Sequence, residues 1–201
     1  MINQLVNPYN YTAPENACIN NAGNDWGSQS NCIKSLKLAM NIHFDTHQNE
    51  RCCYCGLLYD RTGRGEIEHI APKGATYFPQ FSFASNNLAK ACQLCNSSSM
   101  KHTYNPVNYL DAVYEQCTFT IVHPYLDDHG EHYNWSYGRR EVIISINNNS
   151  DKARESIRIF ELASEKRTRA RATQRNQERL EDRYHLTAAI KNRIKAVLRF
   201  R

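Results

Sequence analysis

No run of eighteen apolar residues occurs in the 201-residue chain, so nothing in it reads as a membrane span. The opening stretch MINQLVNPYNYTAP has neither a basic n-region nor an apolar h-region. It therefore does not read as a secretory signal, and a soluble cytoplasmic protein is the expectation. Internal repeats and long Gly/Ser linkers are also missing, which argues against solenoid arrays and loosely tethered modules. The composition argues against wholesale disorder, because 41% hydrophobic residues, 22% charged residues and 12 Tyr can build a core. The length suits one domain, or a small core with an appendage. Cysteine is not scarce, but it is not spread as a disulfide framework: five of the 8 fall in two tight groups. In a cytosolic chain such clustering points to metal before disulfide. Cys18, Cys32 and Cys117 stand alone and read as core thiols.

The net charge of +5 conceals an asymmetry. Residues 151–201 hold fifteen Lys/Arg against seven Asp/Glu, whereas residues 1–150 hold ten against thirteen. An acidic body joined to a basic element suggests a polyanion or an acidic partner.

Four regions follow from the pattern, and together they predict an α+β fold. Residues 1–50 comprise an Asn-, Pro- and Gly-rich stretch without periodicity that reads as an extended arm (1–28) and an amphipathic helix over 29–47, on Ile33, Leu36, Met40 and Phe44. Residues 51–104 alternate short strand-like runs with turn signals and contain both cysteine groups. Residues 105–150 carry two strand candidates, 118–123 and 141–146, around a polar loop. Residues 151–201 are helical. Asn148-Asn149-Ser150 offers an N-cap, Asp151 lies in the first turn, and Ile157, Phe160 and Leu162 form a short apolar face. The stretch 165–183 is polar nearly all round, and 186–200 is basic and amphipathic.

Cys52-Cys53-Tyr54-Cys55-Gly56 and Cys92-Gln93-Leu94-Cys95 form two CxxC knuckles with 36 residues between Cys55 and Cys92. Four thiolates from Cys52, Cys55, Cys92 and Cys95 suit tetrahedral Zn²⁺ in a closed structural site. The competing reading is four buried free thiols. Cys53 is one residue off register and reads as a bystander.

Between and beside the knuckles stand Glu66-Ile67-Glu68-His69-Ile70-Ala71-Pro72-Lys73, then Asn86-Asn87-Leu88-Ala89-Lys90, then Asn96 directly after Cys95. This order resembles the HNH, or ββα-metal, endonucleases over about residues 50–102. The resemblance implies a zinc-stapled ββα-metal core with an N-terminal helix and a basic helical C-terminal region. It implies His69 as general base and Glu68 and Asn96 as ligands of a catalytic Mg²⁺ or Mn²⁺. Asn87 would order the loop and orient His69, and the products would carry 5′-phosphate ends. The family more commonly has Asp where this chain has Glu68. The wording IEHIAPKG, NNLAKACQLCN, HPYLDD and SDKARESI is also similar to PtuB-type HNH nuclease subunits, which work with an ATPase in bacterial anti-phage systems of the Septu type and some retron-linked ones. Nucleic acid is then the expected partner, with DNA favoured and RNA open, an ATPase is a second partner, and no membrane is involved.

The chemistry agrees independently of the name. Histidine can take a proton near neutral pH, and a hard cation held by carboxylate and amide oxygens stabilises charge on a phosphodiester. Adjacent strand residues face opposite sides, so Glu68 and His69 share a phosphate only if the strand ends there, as Pro72-Lys73-Gly74 suggests. Asn96 sits where a helix is expected to start, and a helix N-terminus favours phosphate. Taken alone, His69 would read as a structural histidine. Glu66 reads as a solvated strand residue or a supporting carboxylate. His43 and His47, and separately Asp127, Asp128, His129 and His132, are metal candidates whose plainer readings are surface histidines and a polar turn. Lys166, Arg167, Arg169, Arg171, Arg175, Arg179 and Arg183 read as a nucleic-acid or partner surface, or as a solvated face. Two alternatives stay open: an RNase of the same fold, for example one cleaving tRNA, and a zinc-stabilised nucleic-acid-binding module without catalysis.

Overall fold

Two helices precede the first cysteine group in the computed structural model, which describes residues 2–59, 62–102, 104–136, 142–184 and 187–199. They are α1 (Ala13–Asn21) and α2 (Asn31–His47). The second is the expected amphipathic helix. Ile33, Leu36, Met40 and Phe44 are at most 3% exposed, and each contributes about 1.5–3 kcal/mol through burial. Ser30 caps it, its hydroxyl accepting from the Ile33 N–H at 3.3 Å. The first helix corrects the reading of residues 1–28 as an extended arm. Thr12-Ala13-Pro14-Glu15 is a capping box: Glu15 accepts from the Thr12 N–H at 2.7 Å and from its hydroxyl at 2.8 Å. Packing of α1 on α2 also joins Cys18 to Cys32 as a disulfide, with Cα atoms 6.1 Å apart, so these two are not the isolated thiols expected. Cys117 is a buried free thiol.

The strands β1 (Gly65–His69) and β2 (Leu88–Cys92) pair antiparallel, from Gly65 opposite Cys92 to His69 opposite Leu88. All five residues of β2 are buried. Leu88 packs into the cluster of α1 and α2, while Ala89, Ala91 and Cys92 face the main core with Ile70, Phe81 and Phe160. Gln48, just past α2, behaves like a strand neighbour. Its amide donates to the Lys90 carbonyl and accepts from the Lys90 N–H, both at 2.8 Å, satisfying backbone groups that pairing with β1 leaves free.

Two smaller antiparallel pairs follow, β3 (Val107–Tyr109) with β4 (Thr118–Phe119), and β5 (Tyr133–Trp135) with β6 (Ile144–Ile146). The candidates 118–123 and 141–146 thus shorten to β4 and β6; Glu141 lies outside the described residues. The intervening loop contains the one-turn helix α3 (His129–His132) and β5, both too short to give a periodic signal. Residues 93–102 form turns rather than the helix expected from Asn96. Asn96-Ser97-Ser98-Ser99 is composed of residues whose side chains compete with helical hydrogen bonding, and Ser97 Oγ donates to the Leu94 carbonyl at 2.8 Å.

The C-terminal helices are α4 (Asp151–Ile159), α5 (Glu165–Arg183) and α6 (Ala188–Arg199). Ser150 caps α4 as expected, accepting from the Ala153 N–H at 3.1 Å. Phe160 and Leu162, just past that helix, are 1% and 0% exposed. Leu186 and Phe200, the bounds of the expected amphipathic segment, lie outside the described residues. The architecture is α+β, with helices beside small antiparallel sheets. Among the described residues no helix is long and apolar enough to cross a membrane.

Candidate metal centre and adjoining cleft

The first knuckle turns through Gly56, whose φ of +69° is costly for a residue with a Cβ, and its N–H returns to the Cys52 carbonyl at 2.9 Å. The second continues directly from β2, with the Asn96 N–H on the Cys92 carbonyl at 3.0 Å. The Cys53 N–H bonds the Lys90 carbonyl at 3.1 Å, which sets the first knuckle beside the strand that carries the second. As a result the Sγ atoms of Cys52, Cys55, Cys92 and Cys95 all lie within 4.8 Å of one another, in residues at most 2% exposed. Cys55 and Cys92 are 3.9 Å apart. Tetrahedral zinc with bonds of about 2.3 Å places sulfurs about 3.8 Å apart, so the quartet fits that ion. Cys53 stays outside it. Among the described residues no other group of three or more His, Cys, Asp or Glu side chains gathers in this way.

His69 sits at the other end of β1, about 13 Å along the strand from Gly65, which faces Cys92 of the second knuckle. β1 stops there and the chain turns away, although the Ile70 N–H still reaches the Asn87 carbonyl at 3.0 Å. This ending lets the neighbours Glu68 and His69 line one cleft of about 320 Å³, together with Lys73, Tyr77, Asn96 and Lys101. His69 is 5% exposed, and its Nε2 lies 3.1 Å from the Ser82 carbonyl. A carbonyl can only accept, so we assign the proton to Nε2, which leaves the Nδ1 lone pair free. The Trp26 ring stands edge-on to the imidazole with centroids 4.4 Å apart. Burial, reinforced by the charge on Lys73, lowers the His69 pKa to about 3, so the ring is neutral near pH 7.

Asn87 is fully buried. Its Oδ1 accepts from the Ala71 N–H at 2.7 Å, and its Nδ2 donates to the carbonyls of Ala71 (3.1 Å) and Phe81 (2.9 Å). It therefore clamps the loop that presents the Ser82 carbonyl, and does not itself bond to His69.

Glu68 is engaged by a residue that sequence reasoning missed. Lys101 Nζ is 2.5 Å from Glu68 Oε1 and donates to the His69 carbonyl at 2.9 Å. Tyr54 donates to the same Oε1 at 3.2 Å. A lysine five places after Asn96 gave no signal in the sequence; its burial, at 2% exposure, is what marks it. Asn96 bonds not to Glu68 but to Glu66, Nδ2 donating to Oε2 at 2.9 Å. Arg64 holds the other oxygen of Glu66 at 2.8 Å. Glu66 is therefore a bonded neighbour of Asn96 rather than a solvated strand residue.

The arginine-rich helix needs the largest correction. Arg167 and Arg171 are 4% and 3% exposed and point inward. Arg167 Nη2 lies 3.2 Å from Cys95 Sγ, and Arg171 donates to the carbonyls of Val142 (2.8 Å) and Leu162 (2.7 Å). Neither offers charge to an external polyanion. The buried positions 167, 171 and 174 repeat at helical spacing, so α5 has an inner face, but one of guanidinium and amide groups. Arg175 pairs with Glu178 at 3.3 Å, and the exposed Arg169 pairs with Glu165 at 2.5 Å. Lys166, Arg179 and Arg183 are exposed.

The remaining metal candidates are held by ordinary bonds. The rings of His43 and His47 lie 4.2 Å apart, with His43 Nε2 on the Asn7 carbonyl at 3.0 Å. Asp127 accepts from the His123 N–H and pairs with Lys152, both at 2.7 Å. Asp128 caps α3 through the Gly130 N–H, His129 Nε2 meets the His123 carbonyl at 3.3 Å, and His132 meets Ser150 Oγ at 2.6 Å.

No protein-family model and no curated protein matches the chain.

Proposed function

We propose that the chain is a metal-dependent nuclease of the HNH, or ββα-metal, kind that hydrolyses phosphodiester bonds, with DNA as the favoured substrate. One observation carries this reading. A neutral imidazole, fixed through Nε2–H by a backbone carbonyl and so with its Nδ1 lone pair available, lines a cleft that also contains a carboxylate, an amide and an ammonium. In the proposed reaction His69 Nδ1 takes the proton of the attacking water. Burial and Lys73 hold its pKa low, and the negative charge of a bound phosphodiester would raise it and so favour the proton transfer. Trp26 and Ser82 fix the ring's orientation, Asn87 holds the loop behind it, and Lys73 binds phosphoryl oxygen.

Glu68 and Asn96 would hold a divalent ion, Mg²⁺ or Mn²⁺. Both bonds to Glu68 end on Oε1, which leaves Oε2 for a cation, and Asn96 keeps its carbonyl oxygen while its Nδ2 is on Glu66. Such an ion supplies charge stabilisation to the phosphoryl and leaving oxygens. The turns at 96–102 replace the helix of a regular ββα unit, so Asn96 is positioned by the zinc knuckle and by Glu66. The resemblance to PtuB-type subunits adds an ATPase partner and a place in bacterial anti-phage defence. With Arg169 paired to Glu165, Lys166, Arg179 and Arg183 are the further exposed cations of α5 suited to nucleic-acid backbone or to such a partner.

The test is incubation with supercoiled plasmid, linear duplex, single-stranded DNA and total RNA, with Mg²⁺ or Mn²⁺, beside a His69→Ala control. Cleavage of DNA that His69→Ala abolishes supports the reading. Cleavage confined to RNA makes the chain an RNase of the same kind. Tight binding without cleavage makes it a zinc-stabilised binding module, and cleavage undiminished in His69→Ala removes His69 from the chemistry.

A further inference from the structure

We infer that Arg167 is the counter-charge of the four-cysteine metal centre, and that α5 and the zinc ion hold each other in place. Four thiolates around Zn²⁺ carry a net charge of about −2, in residues at most 2% exposed. Such a charge needs a partner inside the protein, because water does not reach it. Arg167 supplies that partner. Its Nη2 lies 3.2 Å from Cys95 Sγ and 3.4 Å from Met100 Sδ. Its Nη1 is also buried and has no hydrogen-bond partner among the described residues. No carboxylate pairs with this guanidinium among the described residues, which leaves the thiolates as its anion.

The same helix face grips the other knuckle. Gln174 accepts from the Leu58 N–H at 2.9 Å and donates to the Gly56 carbonyl at 3.3 Å. Gly56 also receives Arg51 Nη1 at 3.0 Å, and Arg51 is ion-paired to Glu178. Positions 167, 174 and 178 lie along one side of α5, so the helix spans both knuckles like a bar across two hooks. It lacks an apolar stripe, and apart from the Arg171 bonds to the Val142 and Leu162 carbonyls its inner face is attached through groups at and beside the folded knuckles. Zinc fixes the knuckles, the knuckles fix the helix, and by reciprocity the helix retains the zinc. This inference concerns the metal centre alone and stands whether or not the cleft cuts nucleic acid.

The experiment uses the full zinc-loaded chain, as wild type, Arg167→Met, Arg167→Lys and Leu36→Ala, the last a core truncation in the separate cluster of α1 and α2. Zinc release into excess chromogenic chelator is timed well below the lowest melting temperature of the set. Arg167→Met should release zinc about 10–100-fold faster than wild type, Arg167→Lys should fall between, and Leu36→Ala should stay within about twofold of wild type. Wild-type release from Arg167→Met would overturn the inference. So would equal acceleration by Leu36→Ala, since the effect would then be one of general stability. If Arg167→Met does not fold, amide exchange in the wild type decides. Removing zinc should expose the amides of 167–178 while 33–44 of α2 stay protected, and equal protection of α5 with and without zinc would overturn the inference.

Discussion

Breaking the Glu68–Lys101 pair tests how the cleft is held together. The Lys101 side chain is 1% exposed and that of Glu68 is 6%, with 2.5 Å between Nζ and Oε1. Solvent does not screen either charge, so removing one partner strands the other. Lys101→Met leaves the Glu68 carboxylate with only the Tyr54 hydroxyl. Glu68→Gln leaves the ammonium with the His69 carbonyl and a weaker amide acceptor. Each single change should cost about 3–5 kcal/mol, as is usual when a buried pair loses one member. The double variant removes both charges and should be more stable than the sum of the singles implies, by about 1–3 kcal/mol. Urea denaturation of the four zinc-loaded proteins at pH 7, with midpoint and slope both fitted, measures this cycle. Additivity within about 0.5 kcal/mol would show that the two side chains do not sense one another, and the description of the cleft would be wrong.

Three further outcomes follow from the same contacts. Asn87→Ala strands one N–H and two carbonyls in a fully buried position, and should cost about 3 kcal/mol or more in thermal denaturation; Asn87→Asp should not restore it, because two donors become acceptors facing carbonyls. His123 has its pKa lowered to about 3, chiefly by burial, and its Nδ1 accepts from the N–H groups of Tyr125 and Leu126, both at 3.1 Å. The unfolded chain, with a histidine pKa of about 6.5, binds this proton first as pH falls. Stability from His123 is therefore complete above that value and declines toward pH 3, by about 2 kcal/mol at pH 5; denaturation midpoints that are flat from pH 7.5 to 4.5 would refute it. Purified protein should contain about one zinc per chain, a strong chelator should unfold the knuckle region while α2 stays folded, and Cys92→Ser should do the same. Cys53→Ser should be tolerated, since Cys53 stands outside the quartet; a zinc-free chain that keeps its melting transition would end the zinc assignment.

Features set by neighbours in the chain are legible in the amino-acid sequence by itself. The spacing of Ile33, Leu36, Met40 and Phe44 specifies α2, Ser150 specifies the start of α4, and the two CxxC knuckles specify the quartet. In each case the residues that matter lie within one or two turns of each other, or the motif carries its own geometry. Helix α1 belongs with them, since Thr12 and Glu15 form a capping box that an Asn-rich composition concealed. Other features depend on what lies across the fold. Arg167 and Arg169 are alike in sequence, yet one faces Cys95, 72 residues away, and the other faces water. Cys18 and Cys32 pair because two helices pack. Lys101 enters the cleft and Glu66 meets Asn96 only because the hairpin and the second knuckle converge there. A sequence states which groups are charged; whether a charge meets solvent, a thiolate or a buried carboxylate is decided by tertiary packing, because electrostatic and hydrogen-bond energies depend on distance and burial, and separation along the chain records neither.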